Sequence, residues 1–591
     1  MSLGRLRAGL ALLLALSAPA ATQSRAPVAM SVTLAPRPAA ASPGEIGAVE
    51  IVLRFEPLEI AAGEPLLRLP LVSSNVDTAA TVLAKLSARD SQGPLDLSAH
   101  DIVAPDQAAR DAVIGGPSRD WVADRAVVGP VTVRYTLPAD AALPPRGAAP
   151  PFAFSSDGGG VSAAGHVFLL LPPSVSAYRL TVDWDLAALP SGARGVSSLG
   201  EGRVTSGDMS AGQVRSTFYM AGRIHTFPAR VPATGFFAAW QGEPPFDAPA
   251  LMAWTGRLYG RYCAFFSQGK PPPYGVFLRY NPINAGGGVG LHHSFVTTFG
   301  KGDGSDSDKV RITLAHEMFH TFQPFIEQPA GLESSWFGEG LATFYQTALP
   351  LRFGMIGPDL FLAGVNSTAA RYYSSLMANV PNSQVPVKFW ADTRIRTLPY
   401  DRGMLYFATV DDSMRKASNG RKSLDDLVLA MLALQHQGRV TSNADWESLL
   451  RRELGAGAVD EFRAVLGGRM PVPASDAFGP CFRRTSAPMR RYELGFEPAV
   501  LAEPKRVVRG LVAGSAAERA GLRNGDEIVV PVPQDGLQGD QKRLLTLQVR
   551  RAGATFAITY LPRGETVSTY QWQRVPAIAD SACARRAGDR I

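Results

Sequence analysis

The feature of this sequence that most constrains its fold is a His-Glu-x-x-His motif made of His316, Glu317 and His320, with Glu339 further along the chain. Residues four apart share one face of a helix, so the two histidines can present their imidazoles to one metal ion. The 18 residues between His320 and Glu339 leave room for one helix to end and a second helix to return a carboxylate. Two histidines and a glutamate, with a fourth position open to water, are the ligands of catalytic zinc sites. Glu317 would lie beside the ion, where it can take a proton from water.

A bare motif of this kind also occurs on surface helices, where both histidines are solvated. The flanking residues favour a buried helix instead, because most of them are apolar. Buried histidines and a buried glutamate need partners, and one shared metal ion supplies them. The apolar flanks are Leu314, Ala315, Met318, Phe319 and Phe322.

Two other glutamates compete with Glu339 for the role of third ligand. Glu327 lies between Pro324 and Pro329, a composition that is typical of a loop. Glu333 is a rival on spacing alone. Glu339 is favoured because an apolar segment with helical spacing follows it directly.

Length and charge narrow the class of protein. At 591 residues the chain should contain three or four domains. Its net charge is +7, from 59 basic and 52 acidic residues, and no dense run of lysine and arginine is interleaved with aromatic residues. This pattern argues against nucleic acid as a partner.

Residues 1–23 have the pattern of a cleaved signal peptide. Two arginines precede an apolar run at residues 8–16, and residues 18–20 offer a small-x-small cleavage sequence. The run is too short to span a bilayer comfortably, and no later segment is suited to do so. We therefore expect a secreted or periplasmic protein with no transmembrane segment after cleavage.

The sequence contains three cysteines, which is too few for a disulfide framework. Cys481 and Cys583 could pair in an oxidising compartment and tie the C-terminal tail to the domain before it. Three unpaired, buried thiols, including Cys263, are equally compatible with the sequence.

Hydrophobic patterning predicts a multidomain α+β protein. Residues between the signal and about Pro38 are rich in alanine, proline and serine, and we expect them to be loose. Residues 38–201 alternate between apolar and polar in short runs, which predicts a β-sandwich-like N-terminal domain. Residues 202–475 are mixed and then mostly helical in spacing, and they contain the metal motif.

Residues 490–565 return to short strands and resemble a PDZ domain. A small-residue turn at Gly514 leads to a short helix that ends in Ala520-Gly521-Leu522, and Gly525-Asp526 begins the next strand. PDZ domains bind an extended peptide by adding it to a sheet edge, so a peptide ligand is a candidate partner. The alternative is a copy that only packs as a structural cap.

Together these parts resemble the glycyl-aminopeptidase family of PDZ-containing zinc peptidases, and the likeness covers most of the mature chain. The resemblance implies that residues 202–475 form a thermolysin-like zinc peptidase domain of the gluzincin type, acting on peptide or protein substrates. Motif spacing and resemblance together predict one zinc ion per chain, bound by His316, His320 and Glu339, and Thr343 is a candidate to support these ligands. The matching stretches are residues 316–320, 336–345, 400–403, 411–415 and 423–426.

The stretch Tyr400-Asp401-Arg402-Gly403 bears on the reaction itself. Related aminopeptidases place a tyrosine at this position, so by resemblance Tyr400 is the candidate that stabilises the oxyanion through its hydroxyl. A core tyrosine at the start of a helix is the alternative interpretation.

One stretch departs from the family pattern. The family carries Gly-Gly-Leu-Glu-His before the metal helix, and its glutamate corresponds to the one that holds the free amine of the substrate. His292 stands at the glutamate position and is followed by His293. A histidine cannot supply a permanent negative charge to an ammonium, so aminopeptidase specificity is doubtful and little dependence on a free N-terminus is expected. Asp303 or Asp306 could take over this role. A second zinc site at the histidine pair is disfavoured, because adjacent strand residues point to opposite faces.

The sequence as a whole favours a secreted or periplasmic zinc metallopeptidase. Glu317 is the expected general base, which later returns the proton to the leaving amine, and Tyr400 is the expected oxyanion donor. The alternative is a PDZ-containing, peptide-binding scaffold with a degenerate peptidase domain.

Overall fold

The computed structural model describes most of the chain from residue 26 onward. The predicted signal peptide, residues 1–23, and the side chain of Asp303 lie outside the described residues. Within the described part of the chain, no helix is both long and apolar enough to cross a membrane. The described ranges are 26–74, 76–103, 116–139, 151–267, 273–282, 285–532, 534–584, 586 and 588–590.

The N-terminal part consists of sheets packed around one apolar core, which confirms the prediction of a β-rich N-terminal region. Apolar residues alternate along the strands and place one face of each sheet in this core. In spatial order, the seven-stranded sheet contains Val204–Ser210, Ala177–Trp184, Val28–Ala39, Ser42–Ile60, Val127–Pro138, Ala84–Asp90 and Gly93–Leu95. The five-stranded sheet contains Ser155–Asp157, Gly160–Ala164, Phe218–Gly222, Arg194–Ser197 and Gly200–Glu201. Smaller sheets contain Pro65–Pro70, Ser118–Ala123 and Leu97–Ile102, and Val72–Ser73 with Val76–Asp77.

The segment before Pro38 forms a strand, so the prediction that it is loose was wrong. Val28–Ala39 lies inside the seven-stranded sheet, parallel to Ala177–Trp184 and antiparallel to Ser42–Ile60. Every second residue from Met30 to Leu34 is buried, a strand period that the alanine- and proline-rich composition concealed. Composition alone was therefore a poor guide to this segment.

The N-terminal sheets also continue beyond residue 201. Val204–Ser210 pairs with Ala177–Trp184, and Phe218–Gly222 pairs with Gly160–Ala164. The division of the chain into domains at residues 38–201, 202–475 and 490–565 stays a prediction.

The central part places a sheet against a bundle of helices around a second apolar core. Its strands, in spatial order, are Ile224–Phe227, Phe236–Gln241, Tyr274–Tyr280, Ser294–Phe299 and Gly288–Leu291, the last of them an edge strand. Its longer helices are Ala248–Phe265, Ser307–Phe319, Ser335–Arg352, Pro358–Tyr373, Leu398–Ala417, Leu424–His436, Asn443–Leu454 and Ala456–Leu466. Short helices are Val385–Lys388 and Thr393–Arg396, and the N-terminal part adds Ala211–Arg215. The predicted helical central region is thus confirmed.

Three helices carry the predicted site residues: the motif helix (Ser307–Phe319), the glutamate helix (Ser335–Arg352) and the tyrosine helix (Leu398–Ala417). The last two meet backbone to backbone. A Cβ atom on Gly340 would lie 2.5 Å from the Cα of Gly403, a distance that leaves no room for a side chain. Gly340 directly follows Glu339 and Gly403 lies three residues after Tyr400, so the close contact of these glycines brings the two candidate residues near each other.

The C-terminal module (Phe482–Arg574) has its own small apolar core. Its first and last strands, Phe482–Tyr492 and Arg563–Arg574, pair as an antiparallel ribbon. Between them lie a four-stranded sheet and short helical turns. The sheet contains Arg506–Val507, Glu527–Ile528, Leu545–Arg551 and Ala554–Tyr560, and the α-helical turns are Ala516–Arg519 and Asp535–Gly539.

The PDZ resemblance of this module stays a prediction. The turn Leu494-Gly495-Phe496 is followed by a 3-10 helix, Pro498–Ala502, whose Val500 and Leu501 are buried. Residues 498–502 are therefore helical and do not form a strand at this point of the module. A peptide ligand of the module likewise stays a prediction.

A disulfide joins Cys481 to Cys583, one of the two arrangements that the sequence left open. Cys263 is unpaired and buried. Beyond the disulfide, the tail returns to the helical bundle, where Asp589 forms ion pairs with Arg415 at 2.6 Å and Arg352 at 3.4 Å. Both ends of the C-terminal module are thus attached to the central part.

Candidate metal centre

The motif helix presents both histidines from its C-terminal end. The helix begins after Asp306, whose carboxylate accepts hydrogen bonds from the next turn, and its last helical residue is Phe319. His316 lies in the final turn. His320 follows directly and keeps helical backbone angles, φ −56° and ψ −25°, so the four-residue spacing still places both imidazoles on one side.

The glutamate helix returns Glu339 to this same point. Its Oε2 lies 3.1 Å from Nε2 of His316 and 3.3 Å from Nε2 of His320. The two Nε2 atoms are 3.3 Å apart. Three potential ligand atoms from three residues therefore form a nearly equilateral triangle.

This triangle fits a metal ion such as zinc. Ligands at zinc–nitrogen distances of about 2.0–2.1 Å in a tetrahedron are separated by about 3.3 Å, which matches the observed separations. In the part of the chain that the structure describes, His316, His320 and Glu339 form the one group of three or more histidine, cysteine or acidic side chains whose ligand atoms lie close enough together to hold a metal ion. Burial disfavours a charge on Glu339, but His320 and His316 outweigh it and hold the pKa of this carboxyl well below its usual range.

Two glutamines, which the sequence interpretation missed, contact the far nitrogens of the histidines. Nδ1–H of His316 donates to Oε1 of Gln346 at 2.9 Å. The amide of Gln323 lies 2.7 Å from Nδ1 of His320, and its Oε1 is buried without a partner among the described residues. A half-turn of this amide brings Oε1 to Nδ1–H, which is the arrangement required when Nε2 binds a metal.

Spacing along the helices could have identified both glutamines. Gln346 lies seven residues after Glu339, which is two turns further on the same helical face. Gln323 lies three residues after His320, just past the end of the motif helix. Such an outer contact fixes the orientation of a metal-binding imidazole.

Glu317 lies in the same cleft and is not one of the three converging residues. Burial raises the pKa of Glu317 to about 7, and the negative charge of Glu339 acts in the same direction. The N–H of Gly290, on the edge strand, donates a hydrogen bond to this carboxyl group. A Cβ on Gly290 would lie 3.6 Å from Oε2 of Glu317, so the strand passes close to the glutamate.

Tyr400 lies in the first turn of the tyrosine helix and lines the cleft. Its ring stacks on the imidazole of His316, with 5.8 Å between centroids and an interplanar angle of 20°. Burial raises the pKa of Tyr400 well above its usual value, and the charges of Glu339 and Glu317 add to this effect. Tyr400 is therefore held as a neutral phenol whose ring lies against His316.

The rival glutamates and Thr343 have other contacts. Glu327 accepts a hydrogen bond from Gln435 at 3.1 Å, and Glu333 lies in a 3-10 helix before the glutamate helix. Neither belongs to the converging group. The hydroxyl of Thr343 donates to the backbone carbonyl of Glu339 at 2.7 Å, so it supports the main chain of that residue.

His292 and His293 form the tight turn that follows the edge strand Gly288–Leu291. Their rings lie 4.1 Å apart between centroids, and neither residue lines the cleft. Burial lowers the pKa of His292 to about 4, and the neighbouring His293 adds to this effect. His292 is thus expected to be neutral and carries no charge toward a substrate.

The converging residues lie in a cleft of about 1590 Å³. Its walls come from all three parts of the chain. The N-terminal part contributes Phe152, the central part contributes the edge strand and the three named helices, and the C-terminal module contributes Asp535 and Lys542. This volume is large enough for a peptide rather than a single small metabolite.

Comparison with protein-family models and with curated proteins gives no match. Among solved structures, an aminopeptidase N family protein from Idiomarina loihiensis has a TM-score of 0.62 at 15% identity, over 92% of this chain and 98% of that chain. An M1 zinc metallopeptidase from Deinococcus radiodurans has a TM-score of 0.43 at 16% identity, over 76% of this chain and 94% of that chain. Native yeast LTA4 hydrolase has a TM-score of 0.42 at 10% identity, over 76% and 69% of the two chains.

The last two similarities are too weak to carry an argument, and at 15% identity the first shows the fold alone. The predicted resemblance to the glycyl-aminopeptidase family is not tested by these matches. Over nearly its whole length, this chain has a fold similar to that of the Idiomarina loihiensis aminopeptidase N family protein.

Proposed function

We propose that this protein is a zinc-dependent peptidase that hydrolyses peptide bonds. The observation that carries the proposal is the triangle of His316, His320 and Glu339, whose ligand atoms lie 3.1–3.3 Å apart. Glu317 and Tyr400 lie beside it in the same cleft. The similarity in fold to an aminopeptidase N family protein is in keeping with this activity.

Each residue has a distinct part in the proposed reaction. Zinc, when bound, polarises the substrate carbonyl and makes water a stronger acid. Glu317 takes the proton of the attacking water and later gives it to the leaving amine. The Tyr400 hydroxyl donates a hydrogen bond to the oxygen on which negative charge develops. Gln346 keeps the imidazole of His316 in the orientation that metal binding needs.

The edge strand supports a peptide as substrate. Gly288–Leu291 is the last strand of its sheet and borders the cleft next to Glu317. An edge strand offers unpaired backbone groups to an extended chain, and glycines allow a second backbone to approach closely. A peptide bound along this strand would lie close to Glu317, because Gly290 lies next to that carboxyl group.

We propose that hydrolysis depends little on a free substrate N-terminus. His292, which stands at the expected glutamate position, does not line the cleft and supplies no negative charge to a substrate amine there. Apart from Glu317 and Glu339, the acidic residues that line the cleft already have partners. Asp306 caps the motif helix, Asp308 pairs with Arg311 at 2.7 Å, Asp535 pairs with Arg396, and Asp540 accepts from the backbone of Lys542.

Comparing kcat/KM for a short peptide with and without N-acetylation tests this specificity. Equal values within about threefold support the proposal. A loss of roughly two orders of magnitude on acetylation, about 2.7 kcal/mol of transition-state binding, would contradict this proposal and show that the enzyme is an aminopeptidase.

We propose a secreted or periplasmic location, on the basis of the signal-like segment at residues 1–23. The disulfide between Cys481 and Cys583 supports this location, because disulfides persist in oxidising compartments. Fractionation of cells that produce the full chain, followed by N-terminal sequencing of the mature protein, tests it. An unprocessed protein in the cytoplasm would contradict it.

The activity is tested by metal analysis and by cleavage of a peptide library followed by mass spectrometry. The proposal expects about one zinc per chain and products that disappear in Glu317→Gln. A protein that binds zinc but cleaves nothing would instead support the peptide-binding scaffold.

A further inference from the structure

The short helix Asp535–Gly539 of the C-terminal module reaches the candidate catalytic cleft. Asp535, Gly536 and Gly539 line the cleft, and so do residues 540–542 that follow. A cleft wall is therefore supplied by a part of the chain that lies far in sequence from the metal-binding motif.

Asp535 makes the most specific contact across this boundary. Its Oδ2 accepts from Nε of Arg396 at 3.3 Å, and its Oδ1 accepts from Nη2 of Arg396 and from the hydroxyl of Thr393. Gln538 donates to the same Thr393 hydroxyl at 2.8 Å. The side chain of Arg396 is only 8% exposed, whereas that of Asp535 is 49% exposed, and Asp535 lines the cleft.

This contact lies next to Tyr400. Arg396 lies four residues before Tyr400, and the intervening Thr397 has helical backbone angles. Arg396 and Tyr400 are therefore separated by about one helical turn. Both residues line the same cleft as Asp535. A buried guanidinium that loses its carboxylate partner must move or be hydrated, and here it would do so beside the tyrosine.

The module is held in this position by several independent contacts. The side-chain amide of Asn366 exchanges two hydrogen bonds of 2.8 Å with the backbone of Trp572 in the ribbon. Within the module, Gln541 exchanges hydrogen bonds of 2.8 and 3.1 Å with the backbone of Arg490, which ties the loop after the short helix to the ribbon. A Cβ on Gly539 would lie 3.2 Å from the hydroxyl of Ser367, so this turn packs tightly on the neighbouring helix.

We propose that the C-terminal module is a permanent wall of the substrate cleft, in which Asp535 is a positioning residue that holds Arg396 beside Tyr400. This inference rests on the proposed peptidase function for its kinetic consequences, but the docking of the wall itself does not depend on activity. The module then serves catalysis within its own chain, and capture of a separate peptide is not its main role.

The first test is Asp535→Asn in the full chain. We expect unchanged zinc content and a loss of about 10- to 100-fold in kcat, with KM changed less than threefold, because a displaced oxyanion donor acts on the reaction step. Backbone amides of Thr393–Arg396 should exchange hydrogen faster. Asp535→Glu should recover part of kcat, because it keeps the carboxylate.

The matched control for this variant is Glu497→Gln. Like Asp535, Glu497 pairs with an arginine. Its partner is Arg509 at 2.8 Å, and this pair lies within the module on the surface of the protein. This control should leave kcat, KM and hydrogen exchange at Thr393–Arg396 unchanged. The proposal is wrong if Asp535→Asn retains full kcat and normal exchange, or if its loss lies in KM alone.

A second test probes the wall directly with a thiol label. The native cysteines are either buried or disulfide-bonded, so an introduced surface cysteine reacts selectively. A bulky maleimide on Lys542→Cys should lower kcat/KM at least tenfold, and the same label on Ala513→Cys, at an exposed turn of the module, should not. Full activity of labelled Lys542→Cys would overturn the proposal.

Failure of the wall and failure of the peptidase proposal give different results. If the unmodified chain cleaves no peptide, the peptidase proposal fails, and the exchange rates of Thr393–Arg396 in Asp535→Asn still test the wall. If the unmodified chain is active and both module variants behave as their controls do, the wall alone fails.

Discussion

The motif and glutamate helices and the C-terminal module contribute to the same cleft by different routes. His316, His320 and Glu339 are brought together by spacing within two neighbouring helices and by a short connection between them. Asp535 reaches the cleft only because a ribbon, a disulfide and several side-chain contacts dock a whole module against the helical bundle. The comparison shows that residues for chemistry can be encoded locally while residues that shape the cleft are encoded at long range.

The largest expected effect tests the residues that helical spacing brings together, namely His316, His320 and Glu339. Glu339→Ala should lose most of the bound zinc and with it the activity, because two histidine ligands alone hold zinc weakly. Zinc content by mass spectrometry of the purified protein measures the change. Glu333→Ala is the matched control and should retain zinc. The reverse result, with zinc lost only in Glu333→Ala, would move the third ligand.

The next effect separates metal binding from catalysis. Glu317→Gln should bind zinc normally and lose about 10²- to 10⁴-fold in kcat, because the amide cannot accept the proton of the attacking water. Initial rates with a cleaved library peptide measure the loss. Glu327→Gln, at a loop glutamate outside the cleft, should keep wild-type rates. Undiminished turnover in Glu317→Gln would refute the mechanism.

Tyr400→Phe should lower kcat by about 10²-fold with little change in KM, because the hydroxyl acts mainly on the developing oxyanion. Separate determination of kcat and KM distinguishes this role from substrate binding. Tyr280→Phe, at a partly exposed tyrosine outside the cleft, should have wild-type kinetics. A change confined to KM would assign Tyr400 to ground-state binding.

Gln346→Leu tests whether the hydrogen bond to His316 contributes to zinc affinity, because it removes the acceptor and leaves all three proposed ligands in place. We expect zinc affinity to fall about 10- to 100-fold. Competition with a chromogenic chelator measures the affinity, and Gln437→Leu at an exposed glutamine serves as control. Unchanged affinity would show that the histidine orientation is set by packing alone.

The smallest expected effect on turnover concerns the disulfide that helps to dock the C-terminal module. The disulfide closes a segment with a sequence separation of 102, which contains the entire C-terminal module. Cys583→Ser should lower the free energy of unfolding by about 2–5 kcal/mol, because the unfolded chain gains freedom. Denaturant unfolding measures this, with turnover at low temperature nearly unchanged. A large loss of turnover in the folded variant would show that the disulfide also holds the cleft wall in place.

The sequence by itself determined which residues converge at the candidate metal centre. Helical spacing paired His316 with His320, and the apolar helix after Glu339 favoured that glutamate, which the structure places at the expected point. Gln346 shares the helical face of Glu339 and was accessible to the same reasoning. These features depend on a few residues whose geometry is set by the helix itself, so the pattern of side chains carries the information.

Only the tertiary structure decided the rest. The strand Val28–Ala39 was concealed by its composition, and one of its two partners in the sheet, Ala177–Trp184, lies more than a hundred residues away. The position of His292 outside the cleft and the position of Asp535 inside it follow from how a turn and a module are docked. Such docking is the sum of many weak contacts between distant segments, and no local pattern in the sequence records it.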